Sequence, residues 1–128
     1  MTQEYEELLL KDLCARLPHH CRVFYEYVDD LDGKTYGYNL TLNTWCINEF
    51  IANKAVIKPY LRPMSSMTEE EKKEFDDITL IHTLWGVQMD RIPKLIDWLN
   101  AHHFDYRGLI EKGLALEVPE GMYNIKEK

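Results

Sequence analysis

The chain reads as a single α+β domain, with a leading helix, a small antiparallel β-sheet and a helical second half that covers it. Three observations predict this. Apolar residues recur at spacings of three and four near the N-terminus, and a β-branched and aromatic stretch folds back at Asp32-Gly33. A pair of prolines followed by a helix-start signal then separates a helix-plus-sheet region, 1–63, from a helical region, 64–128. The pattern leaves open whether the sheet stays flat or curls into a barrel. At 128 residues the chain is long enough for one core and too short for two.

The first helix is expected from about Gln3 to Arg16. Tyr5, Leu8, Leu9, Leu13 and Leu17 form its apolar stripe, Glu4, Glu7, Lys11 and Arg16 are left outside, and Cys14 lies beside the stripe. Pro18 ends it. Cys21 to Val28 is rich in β-branched and aromatic residues and reads as a strand, turned at Asp32-Gly33 into a returning strand from Tyr36 to Leu42. Alternation puts Cys21, Val23, Tyr25 and Tyr27 on one face, with Arg22, Phe24, Glu26 and Val28 on the other.

Thr44 to Ile57 satisfies neither period throughout. Its composition favours two short strands, Thr44 to Ile51 and Lys54 to Ile57 with a turn at Asn53, over the rival helix from Thr44 to Lys54. Pro59 and Pro63 fix φ and bias Lys58 and Arg62 to extended backbone, so neither strand nor helix is expected to run through them. Ser66 with Glu69 and Thr68 with Glu71 are overlapping capping boxes, and they predict a helix starting near Glu69. It runs at least to Asp76 with Phe75 and Ile78 on its packed side, and continues to about Leu84 in preference to a strand ending at Trp85 and a turn at Gly86.

Ile92, Leu95, Ile96 and Leu99 define a further helix, Arg91 to His102, with Asp90 as its cap, Pro93 in its first turn and Trp98 at the edge of its apolar face. Asp105 is expected to cap a second short helix, Tyr106 to Lys112, closed by a left-handed Gly113 with Leu114 packing back. This outline resembles a helix-turn-helix, but the second helix offers only Arg107 and Lys112 against Glu111, poor equipment for a major groove. Beyond Val118 a polar tail is expected, with Met122 and Tyr123 as the residues that could order it.

Composition excludes several classes of function. A net charge of −7, with basic residues interspersed among acids, argues against direct nucleic-acid binding. No apolar run reaches membrane-span length and the N-terminus lacks the layout of a signal peptide, so no membrane association and a cytoplasmic location are expected. Cys14, Cys21 and Cys46 are odd in number and lack metal-ligand spacing, consistent with reduced thiols.

Three constellations invite chemistry and each has a plainer account. His19, His20 and Cys21 with His102 and His103 offer zinc-type donors, yet they fall at helix ends, where such rings meet exposed carbonyls. Aligning Asp29, Asp30, Asp32 and Gly33 as a calcium loop puts Val28 and Asn39 at essential ligand positions. Cys46 with His82 as base and Asp77 as orienter would make a nucleophile, but nothing in the spacing brings them together. No catalytic residue, metal or cofactor is therefore assigned.

The aromatic residues carry the stronger signal. Tyr25, Tyr27, Tyr36 and Tyr38 fall on facing strands and Trp45 follows them, more ring surface than one small core easily hides. These five are the expected binding residues for a protein partner, a second copy of the chain included. Cross-strand pairing that only stabilises the hairpin is the competing account.

The segments LLLKDLCARLP, IKPYLRPMSSMTEEEKKEF and IDWLNAHHFDYRGLIEKGLAL resemble a family of small uncharacterised proteins from gut Bacteroides, often encoded in prophages and other mobile elements. The resemblance implies a bacterial or phage cytoplasmic setting and no particular activity. Together these readings give a non-catalytic accessory or adaptor protein of a mobile element. Two rivals stand beside it, an acidic inhibitor covering a nucleic-acid-binding host protein and a small cysteine hydrolase built on Cys46 and His82.

Overall fold

A computed structural model describes the backbone of residues 1–84 and 91–123, with the side chains of all but 80–84 and 91–92. The turn at Gly86 of the rival strand reading and the expected cap at Asp90 lie outside the described residues. The order is α1 (Gln3–Arg16), β1 (Arg22–Val28), β2 (Thr35–Thr41), α2 (Thr44–Ile51), β3 (Val56–Leu61), α3 (Glu69–Leu84), α4 (Arg91–Ala101) and β4 (Leu116–Glu117), with single 3₁₀ turns at Leu17–His19 and Met64–Ser66. The sheet runs β2-β1-β3-β4, with β1 antiparallel to both neighbours and β4 parallel to β3. It is a mixed, open sheet and not a barrel.

Helix α1 matches its expected bounds. Thr2 caps it by accepting the Tyr5 amide at 3.1 Å, and Leu9 and Leu13 enter the core with Val23, Ile57 and Leu61 of the sheet. Arg16 corrects the helical wheel, because it is buried and not outside. Its guanidinium bonds Asp12 at 2.7 Å and the Phe104 carbonyl at 2.7 Å, and it lies over the Tyr106 ring. Polarity alone had placed it in solvent, whereas Asp12 on its own helix and a carbonyl 88 residues away hold it inside.

The segment 44–51 is helix α2 and not a strand. Asn43 decides it, since its side-chain oxygen caps the Cys46 amide at 3.0 Å and commits the chain to a helical turn. Cys46 and Ile47 are then buried. After a left-handed Asn53, β3 starts at Val56 and runs through Pro59, contrary to the expectation of a break. Hydrogen-bond phase explains the tolerance. The Leu42 amide bonds the Cys21 carbonyl at 2.8 Å, so Cys21, Val23, Tyr25 and Tyr27 turn their main-chain groups toward β2, while Phe24 and Glu26 bond β3. Pro59, opposite Val23, thus points its nitrogen away from β1, and β4 pairs only from Tyr60 onward. No ladder bond is lost.

The next bond along that ladder is supplied by a side chain. The Tyr123 hydroxyl accepts the Arg22 amide at 2.8 Å and donates to the Tyr60 carbonyl at 2.8 Å, bridging β1 and β3 where direct pairing stops. Its ring stacks on His103 at 3.8 Å. The chain up to Tyr123 is thereby stitched into the sheet.

Of the two capping boxes, Thr68 with Glu71 forms: the Thr68 amide donates to Glu71 at 2.9 Å and the Glu71 amide to the Thr68 hydroxyl at 3.2 Å. Glu71 also grips Arg62 through two bonds of 2.7 Å, with Arg62 stacked 4.2 Å over Phe104. Helices α3 and α4 meet through Phe75 and Trp98, whose indole donates to Glu74 at 2.9 Å. The expected helix Tyr106 to Lys112 is instead a run of turns. Gly108 takes φ +71°, which a helix cannot hold, and Asp105 spans the loop by accepting the Leu109 and Ile110 amides. Its closure follows expectation, with Gly113 left-handed, the Leu114 amide bonded back to Leu109 and Leu114 buried.

Candidate functional site

The five aromatic residues singled out from the sequence form one contiguous cluster. Tyr25 faces Tyr38 and Tyr27 faces Tyr36 across the β1–β2 ladder, so all four share one face of the sheet. Ring centroids lie 5.3 Å apart for Tyr25 and Tyr38, 5.9 Å for Tyr27 and Tyr36, and 5.8 Å for Tyr25 and Tyr27. Trp45, brought in at the start of α2 by the Asn43 cap, stacks on Tyr25 at 5.0 Å and 24°. These separations are those of favourable aromatic contacts.

Burial divides the cluster into a base and a rim. Tyr25 is only 4% exposed, whereas Tyr36, Tyr38 and Trp45 are 42%, 44% and 49% exposed. Tyr25 therefore lies beneath the others, and the exposed ring surface is theirs. Burial, and after it the charge of Glu49, pushes its phenol up to about 12, so it stays neutral; the hydroxyl lies 3.4 Å from the Glu49 carboxylate. Tyr36 donates to Asp32 in the hairpin turn, and this bond holds the Asp32 carboxyl below and the Tyr36 phenol above their ordinary values.

The hairpin is set by its turn. Gly33 adopts φ +70°, Asp29 accepts the Leu31 amide and Asp32 the Lys34 amide. Asp29 and Asp32 of the would-be calcium loop thus spend oxygens on the turn itself. Gly37 is needed for a different reason: a Cβ there would lie 2.3 Å from the end of the Phe24 ring, which crosses β2 on the opposite face. An open cleft of about 710 Å³ adjoins the cluster, lined by Tyr25, Tyr27, Glu49, Phe50 and Val56 among others. Neither histidine nor cysteine is among its lining residues.

No family model, no curated protein and no solved structure matches this chain.

The thiols of the other constellations are sealed from solvent at Cys21 and Cys46. Cys46 is fully buried and burial raises its thiol pKa, the reverse of an activated thiolate; the side chain of His82 lies outside the described residues. Cys21 is buried beside Tyr123, and desolvation pushes its thiol up to about 11. His20 and His103 each end a helical segment with positive φ. Burial, reinforced by the charges of Arg16 and Arg62, lowers His103 to about 4, so it is neutral near pH 7. Among the described residues no group of three or more His, Cys, Asp or Glu side chains converges as a metal site, and no helix is long and apolar enough to cross a membrane.

Sequence reasoning missed the two buried arginines. Arg16 with Asp12 and Arg107, and Arg62 with Glu71, flank Phe104 from two sides and fix the C-terminal loop to α1 and β3. The i, i+4 spacing of Asp12 and Arg16 was the one available signal.

Proposed function

We propose that the chain is a non-catalytic accessory or adaptor protein that works by binding another protein through Tyr27, Tyr36, Tyr38 and Trp45. One observation carries this reading: large rings that share a face, rest on a buried Tyr25 and still expose over two-fifths of three of their number. Pairing for hairpin stability would be satisfied with the rings packed edge to edge under cover. Rigid, amphipathic, half-exposed aromatics are the residue type that dominates protein interfaces, because they offer large area for little lost side-chain entropy. The mobile-element setting is carried by the family resemblance alone. The acidic-inhibitor alternative has behind it the exposed carboxylates of α3, Glu69, Glu70, Glu74, Asp76 and Asp77, which Lys72 and Lys73 offset only in part.

Affinity capture from native cells, quantified by mass spectrometry, tests the reading with Trp45→Ala and Tyr36→Ser against the parent protein. Each variant is expected to remain folded and to lose its partner by an amount equal to an interface hot spot, about 2 kcal/mol or roughly 30-fold in affinity. Recovery of the same proteins at the same level from all three would overturn it.

A further inference from the structure

Strand β2 is an edge strand, and its outer main chain has no partner among the described residues. The phase of its bonding to β1 is fixed at both ends, by Leu42 to Cys21 at 2.8 Å and by Asp29 to Lys34 at 2.9 Å. Leu40, Tyr38 and Tyr36 therefore spend their amides and carbonyls on β1. Those of Thr35, Gly37, Asn39 and Thr41 point outward. Sheets ordinarily guard such an edge with lysine, proline, a bulge or a covering element. The sequence TYGYNLT contains no charge and no proline, and its register with β1 is uninterrupted.

We propose that this edge is completed by β2 of a second copy, running antiparallel with the two-fold axis at Tyr38. The four outward-facing residues are placed symmetrically about Tyr38, so a two-fold pairs Thr35 with the second copy's Thr41 and Gly37 with the second copy's Asn39. Every outward amide and carbonyl is then used. Tyr38 faces its own counterpart at a closely spaced position, and Tyr36 faces the second copy's Leu40, both on the aromatic face. Symmetry selects the occupant, because the outward groups are self-complementary under the two-fold. Strand β2 is neutral along its whole length, so two chains of net charge −7 bring no like charges into contact on it, whereas a basic segment would find no carboxylate on this strand. The result is one continuous eight-stranded sheet. This pairing is carried by main-chain groups but brings Tyr36 and Tyr38 to the seam as well, so Trp45, which lies on α2 and off the strand, is the residue that separates it from the aromatic docking surface.

Light scattering over a concentration series, joined to cysteine cross-linking in a Cys14→Ser background, tests it. The parent chain is expected to reach twice its 15.2 kDa mass, and Trp45→Ala to keep that mass. Tyr38→Lys sets like charges face to face on the axis and should return the mass to that of one chain. Tyr38→Cys should form a disulfide dimer on mild oxidation, since directly opposed Cα atoms about 4.5 Å apart fall within bridging range. Tyr36→Cys should not, because the two copies of that position lie about 13 Å apart along the seam. A single-chain mass at every concentration without a Tyr38→Cys cross-link would overturn the proposal. So would a dimer indifferent to Tyr38→Lys, or equal cross-linking at both positions.

Discussion

Tyr123→Phe removes one oxygen and leaves every ring contact in place, which makes it a clean probe of how the C-terminal segment is held. The hydroxyl carries two bonds of 2.8 Å, one from the Arg22 amide and one to the Tyr60 carbonyl. Both groups belong to adjacent strands whose direct ladder stops at Pro59, so neither has a substitute partner unless β1 and β3 close the gap. Leaving a buried main-chain group unpaired costs about 1–3 kcal/mol. The site is partly buried, and admission of water should recover some of that, so a net loss of about 2 kcal/mol is expected. Urea titration followed by circular dichroism should show a lower midpoint at an unchanged slope, because the folded and unfolded surfaces are nearly the same. A loss under about 0.5 kcal/mol would mean that the bridge is not formed in solution.

Other perturbations have equally definite outcomes. Glu71→Gln strips the charge facing buried Arg62 and should cost about 3 kcal/mol in the same titration. Burial alone would raise the Glu71 carboxyl, but bonds from Arg62 and the Thr68 amide hold it below its ordinary 4.5. Its contribution is therefore full at neutral pH and lost as pH falls through the lowered folded value, and Glu71→Gln should flatten that acid limb. His103, lowered to about 4 from an ordinary 6.5, gives a second pH dependence. The unfolded chain takes up its proton first, so stability should fall by about 1–2 kcal/mol from pH 6.5 down to pH 4. His103→Asn, which tolerates the left-handed backbone, should remove that slope. Gly37→Ala should cost about 1 kcal/mol by pushing on the flexible end of the Phe24 ring, and less in a Phe24→Leu background, as a double-mutant cycle of melting curves would report.

Local chemistry made much of the fold legible. The α1 stripe, the Asp32-Gly33 turn, the Thr68 capping box and the α4 periodicity each act within one or two helical turns or a single hairpin, so the sequence displays them directly. Where the reading failed, a distant partner or a single cap had the deciding role. Composition favoured strand at 44–51, yet one Asn43 side chain tips it to helix. Prolines suggested a break at Lys58 and Pro59, but bonding phase, a property of two strands together, makes Pro59 harmless. Arg16 looked solvent-facing, and Arg62 was legible only as extended backbone, because their partners, Phe104 and Glu71, come from other elements. The aromatic cluster was readable from strand alternation. Its split into a buried Tyr25 and an exposed rim was not, since that depends on where α2 lies.

The central claim is that the rim formed by Tyr27, Tyr36, Tyr38 and Trp45 touches another protein. Placing a photo-crosslinking amino acid at position 45, and in a separate variant at the exposed Lys73 of α3, and irradiating native cells measures this most directly. The account predicts one defined adduct with a different polypeptide from position 45, abolished by Tyr36→Ser, and none from position 73. No adduct at 45, or the same adducts from both positions, would contradict it.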